Sequence, residues 1–267
     1  MNLTSRFVGS LLFVLVAVLG TTLLAGTSSQ AWADVIEGTE GPDSLVGTPE
    51  DDLIDSKGGN DDNFGDAFIG DGSGDDIIDS GEGDDTNWGD TFIGDGSGDD
   101  VIESGEGYDS NLGDTVFGDG SGDDVIDSGE RDDVNFGDTI VGDGSGDDVI
   151  KSGEGDDLNR GDTFSGDGSG NDVIDSGEGD DLNYGDTFRG DGSGDDVIIS
   201  GEGNDENVGD TVEGEGTGDD VILSGEQDDT NTGNGGRDIF ACGNGQDTVT
   251  DYNEAEGDIA GPDCENV

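Results

Sequence analysis

From residue 46 onward the chain repeats one pattern of apolar and polar positions every 24 residues. The run from Gly94 to Phe117 reads GDGSGDDVIESGEGYDSNLGDTVF. Versions of it begin at Gly70, Gly94, Gly118, Gly142, Gly166, Gly190 and Gly214, after a divergent unit that starts at Val46. A fixed period of roughly 20–50 residues marks a solenoid or array, in which each unit buries its apolar face against its neighbours. One position is Ile in all eight copies: Ile54, Ile78, Ile102, Ile126, Ile150, Ile174, Ile198 and Ile222. The next position varies through Asp, Glu, Lys, Ile and Leu. A β-strand alternates faces with period two, so the fixed Ile points inward and its variable neighbour outward. A second segment behaves alike. Phe68, Phe92, Val116, Ile140, Phe164, Phe188 and Val212 stay apolar, while the following position ranges from Ile to Ser, Arg and Glu. The pattern predicts an all-β protein, a parallel β-roll or β-solenoid of 24-residue Gly/Asp-rich units with two short strands per coil. Helix is not expected, because Gly recurs every few residues and each interior Gly costs about 1 kcal/mol relative to Ala.

Other repeat positions carry less decisive signals. Asn63, Asn87, Asn111, Asn135, Asn159, Asn183, Asn207 and Asn231 recur in every copy. Stacked about 4.8 Å apart they would form an amide ladder, and a turn residue that tolerates left-handed geometry fits equally. Thr91, Thr115, Thr139, Thr163, Thr187 and Thr211 form another row. A regular Thr row resembles an ice-binding surface, but ordinary β-propensity accounts for it. Phe64, Trp88, Phe136 and Tyr184 share one position and could stack on sugars, but Leu112, Arg160 and Val208 stand there too, so it reads as a tolerant surface site.

The ends differ from the repeats. Residues 1–33 hold Arg6, an uncharged stretch from Phe7 to Gly26 and Ala31-Trp32-Ala33 before Asp34, the features of a cleaved secretory signal peptide. The stretch is also long enough to remain as an anchor. Residues 34–45 read as a leading turn, 46–237 as the eight units, and 238–267 as a C-terminal cap over the open strand edges, which otherwise template aggregation. Cys242 and Cys264 fall within that cap, and an even count in an exported chain suggests a disulfide between them, worth on the order of 3 kcal/mol.

Charge changes the picture. The 267 residues include 70 Asp or Glu against 7 Lys or Arg and no His, a formal net charge of −63. High charge with little apolar material normally reads as disorder, but strict periodicity and a cation that neutralises carboxylates remove that reading. The sign excludes nucleic acid and anionic membrane as partners. A chain without His has no Ser-His or Cys-His nucleophile pair, and carboxylate pairs repeated in every unit do not single out one acid and base, so an enzyme is not expected.

The run Gly96-Ser97-Gly98-Asp99-Asp100-Val101-Ile102-Glu103 resembles the hemolysin-type RTX nonapeptide G-G-x-G-x-D-x-U-x without its first Gly, and Ser104-Gly105-Glu106-Gly107-Tyr108-Asp109 follows as a second such turn. The runs Gly233 to Phe240 and Cys242 to Val249 keep the same spacing. The resemblance implies Ca²⁺ held between stacked turns by carbonyls and by the Asp at the sixth position. In the first turn that place belongs to Asp76, Asp100, Asp124, Asp148, Asp172, Asp196 and Asp220. In the second it belongs to Asp85, Asp109, Asp133, Asp157, Asp181, Asp205 and Asp229, and at the C-terminal end to Asp238 and Asp247. Calcium takes 6–8 oxygen ligands, which Gly-rich turns and short Asp side chains can supply. The unit exceeds two nonapeptides by six residues, such as 89–94. An EF-hand loop over Asp71 to Glu82 is the competing calcium geometry, and it fails where Asp76 replaces the required Gly. The expected function is therefore a secreted or cell-surface structural protein that binds calcium ions. The alternatives are an extracellular adhesion or matrix module that takes a glycan, another cell-surface polymer or mineral, and an acidic salt-adapted solenoid without specific calcium sites.

Overall fold

The structure is a computed structural model and describes residues 34–267. The signal-peptide expectation lies outside the described residues. Every strand is two or three residues long, and the strands stack in parallel into three sheets of 11, 10 and 5 strands. Register follows the repeat: Ile126 pairs with Ile102 and Ile150, and Asn135 with Asn111 and Asn159. The parallel β-solenoid expected from the sequence is therefore present, without helix among the described residues.

A single coil shows how the unit is used. Val101–Glu103 joins the first sheet, Ser110–Leu112 the second and Thr115–Phe117 the third. The expectation of two strands per coil is corrected to three in the coils that supply the 5-stranded third sheet, because the segment around each Asn is itself a strand. The Ile row forms the buried core, with its neighbours outside. Facing it, each Asn donates from Nδ2 to Oδ1 of the Asn one coil on, at 2.8–3.0 Å, which settles the ladder reading. The same amide donates to a buried Ser hydroxyl of its own coil, as Asn111 does to Ser104 at 3.0 Å. The side of this interior that faces the Ile row is thus polar, and its amides are satisfied along the stack apart from Oδ1 of Asn63, where the ladder begins.

The six additional residues lay the third sheet against the outside of the second and close a further compartment. It corrects the surface reading of the aromatic position: Phe64, Trp88, Leu112, Phe136, Arg160, Tyr184 and Val208 are all buried. Phe64 stacks on Trp88 with centroids 4.3 Å apart, and Phe68 stacks on Phe92 at 4.8 Å. Arg160 lies over Phe136, Phe164, Tyr184 and Phe188 at 4.8–5.5 Å. The apolar row of the third sheet points into this compartment rather than to the Ile core. Phe92, Val116 and Ile140 are buried there, whereas Val212 is exposed. The Thr row is buried as well, so it offers no ice-binding surface.

At the N-terminal end, Val35–Glu37 and Ser44–Val46 already supply strands to the first and second sheets. At the other end the step shortens, and Phe240 pairs with Ile222 and then with Ala260. Cys242 and Cys264 form a disulfide with Cα atoms 5.1 Å apart.

Candidate metal centre

Gly residues shape both turns of each coil. Gly129 takes φ 94°, a left-handed conformation, and a Cβ there would run into the carbonyl oxygen of Gly105 one coil back. Coils can therefore approach to strand spacing, which brings the Asp rows of successive turns into line.

All sixteen Asp residues singled out from the sequence are buried. In the first turn, the backbone N–H of each such Asp donates to Oδ1 of the next one: Asp76 to Asp100, Asp100 to Asp124 and Asp124 to Asp148, at 2.6–2.7 Å. The run continues through Asp172, Asp196, Asp220 and Asp238 at 2.8–3.0 Å. In the second turn Asp85, Asp109, Asp133, Asp157, Asp181, Asp205, Asp229 and Asp247 form the equivalent run at 2.7–3.0 Å. The other carboxylate oxygen, Oδ2, is buried with no hydrogen-bond partner in every one of these residues except Asp238.

A buried carboxylate oxygen without a donor is costly, and its ionised form more so. The titration behaviour reflects this. Burial pushes Asp76 up to about 8, Asp109 and Asp157 to about 7 and Asp133 to about 9. Asp124, Asp148 and Asp172 lie well above the ordinary carboxylate range, through burial first and the charge of neighbouring Asp residues second. A cation that neutralises such carboxylates draws them to their charged form at neutral pH.

The two turns are not equivalent. In the first turn a further row of Asp, unremarked in the sequence reading, joins the site: Asp66, Asp90, Asp114, Asp138, Asp162 and Asp186. One oxygen from each member of Asp66–Asp76–Asp90, Asp90–Asp100–Asp114, Asp114–Asp124–Asp138, Asp138–Asp148–Asp162 and Asp162–Asp172–Asp186 lies within 4.8 Å of the others. These residues come from the six additional positions, where Gly-Asp recurs in every unit but the last, which has Gly233-Asn234, so the comparison between copies that exposed the Asn row would have found it. Among the described residues, the second-turn Asp residues join no such three-carboxylate group, and neither do Asp196, Asp220 and Asp238.

The residues fit a hard divalent cation. The Oδ1 atoms of Asp66, Asp90, Asp114, Asp138, Asp162 and Asp186 are buried and unpartnered, matching the free Oδ2 atoms of the turn residues. Gly keeps the space open: a Cβ on Gly96 would sit 2.5 Å from Cβ and 2.7 Å from Oδ1 of Asp114. An all-oxygen, all-carboxylate donor set without His or thiolate suits calcium rather than zinc or copper.

A parallel solenoid with rows of cation-seeking carboxylates in its turns defines a calcium-binding repeat protein. The family model of the RTX calcium-binding nonapeptide repeat (4 copies) matches residues 33–62, 68–87, 89–110, 135–163, 159–189, 182–206 and 216–249. The chain belongs to this family, and Ca²⁺ is the ion its repeats bind. No curated protein and no solved structure matches the chain.

Proposed function

We propose that this chain is a secreted, non-catalytic calcium-binding solenoid with a structural or cell-surface role. The observation that carries the reading is the run of buried carboxylate oxygens without donors along both turns. Such a stack is held apart by its own charge until cations enter, so calcium acts as a folding ligand. The ligand set comprises the sixteen Asp residues of the two turns together with the additional first-turn row. The 24-residue units over 46–237 carry most of this set, and 238–267 is the cap, which adds Asp238 and Asp247. The cystine supports an oxidising compartment. The net charge of −63 argues against nucleic acid and anionic membrane as partners. The absence of His from the chain argues against nucleophilic catalysis. A sugar-stacking role for Phe64, Trp88, Phe136 and Tyr184 loses its support, because these rings are buried.

Circular dichroism during a calcium titration at pH 7 tests the reading. The calcium-free chain is expected to lack β structure, and millimolar Ca²⁺ to produce it. A β spectrum that is complete at low salt without calcium, and unmoved by its addition, would refute the proposal.

A further inference from the structure

We propose that the first-turn edge is one continuous chain of carboxylate-bridged cations, in which Asp90, Asp114, Asp138 and Asp162 each serve two neighbouring sites. The inference rests on the calcium reading above and extends it from a set of sites to a coupled row.

The sharing is visible in the groups themselves. Asp90 closes the group of Asp76 and opens that of Asp100, and Asp114, Asp138 and Asp162 repeat the arrangement one coil further each time. By contrast Asp76, Asp100, Asp124, Asp148 and Asp172 each belong to one group. The shared residues are buried, and Oδ1 of each is unpartnered. For Asp138 neither carboxylate oxygen receives a backbone N–H, and the carboxylate lies beside those of Asp114 and Asp162, its partners in the two groups. Asp90 and Asp114 are steered by backbone N–H groups on Oδ2, from Ser97 and Ser121 at 2.5 Å, which leaves Oδ1 to the site.

Charge makes the sharing consequential. Each interior site owns one turn carboxylate outright and half of two shared ones, two negative charges in all, which one divalent cation balances. Eleven carboxylates line the five groups. An empty site in a filled row would leave a buried turn carboxylate uncompensated, with both shared neighbours half-compensated, which low-dielectric surroundings penalise. Filling a site therefore favours filling the next. On the second-turn edge no residue is shared within a three-carboxylate group among the described residues, so the coupling belongs to the edge built by the six additional residues.

Equilibrium dialysis of the intact chain tests this, at the lowest free Ca²⁺ that saturates the unmodified protein, with circular dichroism confirming a β fold. Asp→Asn keeps shape and removes charge. Asp138→Asn is expected to lose two bound ions and Asp148→Asn one. Asp138→Asn combined with Asp162→Asn is expected to lose three rather than four, because the two share the site of Asp148. If Asp138→Asn fails to fold, Asp114→Asn or Asp162→Asn replaces it with the same expected loss of two. Equal losses from the shared and unshared variants would overturn the bridged chain while leaving calcium binding intact. An unmodified chain that binds no calcium would instead overturn the calcium reading itself.

Discussion

The backbone N–H of Asp124 donates to Oδ1 of Asp148, 2.7 Å away in the next coil, and leaves Oδ2 of Asp148 buried without a partner. One side chain thus joins two coils through one oxygen and presents the other to a cation. Replacing it by Ala removes both functions and strands the Asp124 N–H. At saturating calcium, Asp148→Ala is expected to cost about 1–3 kcal/mol for the stranded donor, in addition to the lost ion. Lys151, three residues on, points outward and meets Asp127 at 3.0 Å in an exposed ion pair. Lys151→Ala is expected to cost roughly 0–1 kcal/mol. Thermal unfolding of both variants decides, and equal shifts would contradict the assignment of inner and outer positions.

The calcium-free protein should depend on pH in a direction opposite to ordinary acid denaturation. Burial raises the folded-state carboxyls from the usual 3.8, Asp109 to about 7, Asp76 to about 8 and Asp133 to about 9. Below about pH 4 these groups are protonated whether folded or unfolded, and they oppose nothing. As pH rises, the unfolded chain ionises first, so it binds fewer protons than the fold and stability falls from about pH 4 to about pH 9. Dialysed, calcium-free protein is expected to gain β signal on acidification and lose it near neutrality. Calcium should restore the neutral fold and bind more tightly as pH rises. A calcium-free spectrum constant across this range would count against buried carboxylates as the obstacle to folding.

Gly129 and Lys57 occupy the same place in the repeat, and both have positive φ, 94° and 75°. Only Gly129 has a carbonyl, that of Gly105, where a Cβ would stand. Gly129→Ala is expected to lose on the order of 1–3 kcal/mol from the backbone conformation alone, and more from the collision. Lys57→Gly is expected to stay within about 0.5 kcal/mol. Calcium-saturated melting curves compare the two, and a mild effect at Gly129 would mean that coils can separate locally at no cost.

The outer compartment gives opposite expectations for two occupants of one row. Trp88 is packed between Phe64 and Phe92, and Trp88→Ala should cost about 3–5 kcal/mol. Arg160 is buried with Nε unpartnered, and burial lowers its guanidinium to about 10. Its contacts with four rings return part of that cost. Arg160→Leu, which copies Leu112 from the same row, should raise the melting temperature. A fall comparable to that of Trp88→Ala would mean that the ring contacts outweigh desolvation.

The Ile row was legible in the sequence because only one side-chain shape fits the narrow interior opposite Asn, so identity is repeated. The row of Trp88 and Arg160 was misread because its compartment asks for volume rather than identity, and any bulky side chain that lies between stacked neighbours fills it. Variability there imitated a surface. The Asn row was recognised but not placed, since one residue cannot distinguish a turn from a strand, and the nearby Ser that completes its hydrogen bonds drew no attention. Asp66, Asp90, Asp114, Asp138, Asp162 and Asp186 were passed over because the nonapeptide pattern has no place for them. They reach the first turn only through the path of the third-sheet segment, which a linear motif does not describe.

The Asn ladder has a direction. Every link runs from Nδ2 of one coil to Oδ1 of the following coil, from Asn63 through to Asn231. The turn Asp residues pass their N–H groups forward in the same sense. The stack is therefore polar like a crystal axis, with one end that accepts and one that donates. Removing or duplicating a whole 24-residue unit preserves every link, whereas reversing a unit breaks all of those it touches. Length is thus an adjustable dimension of this architecture, about 4.8 Å per coil, and genetic duplication can change the reach of the molecule without redesigning its interior.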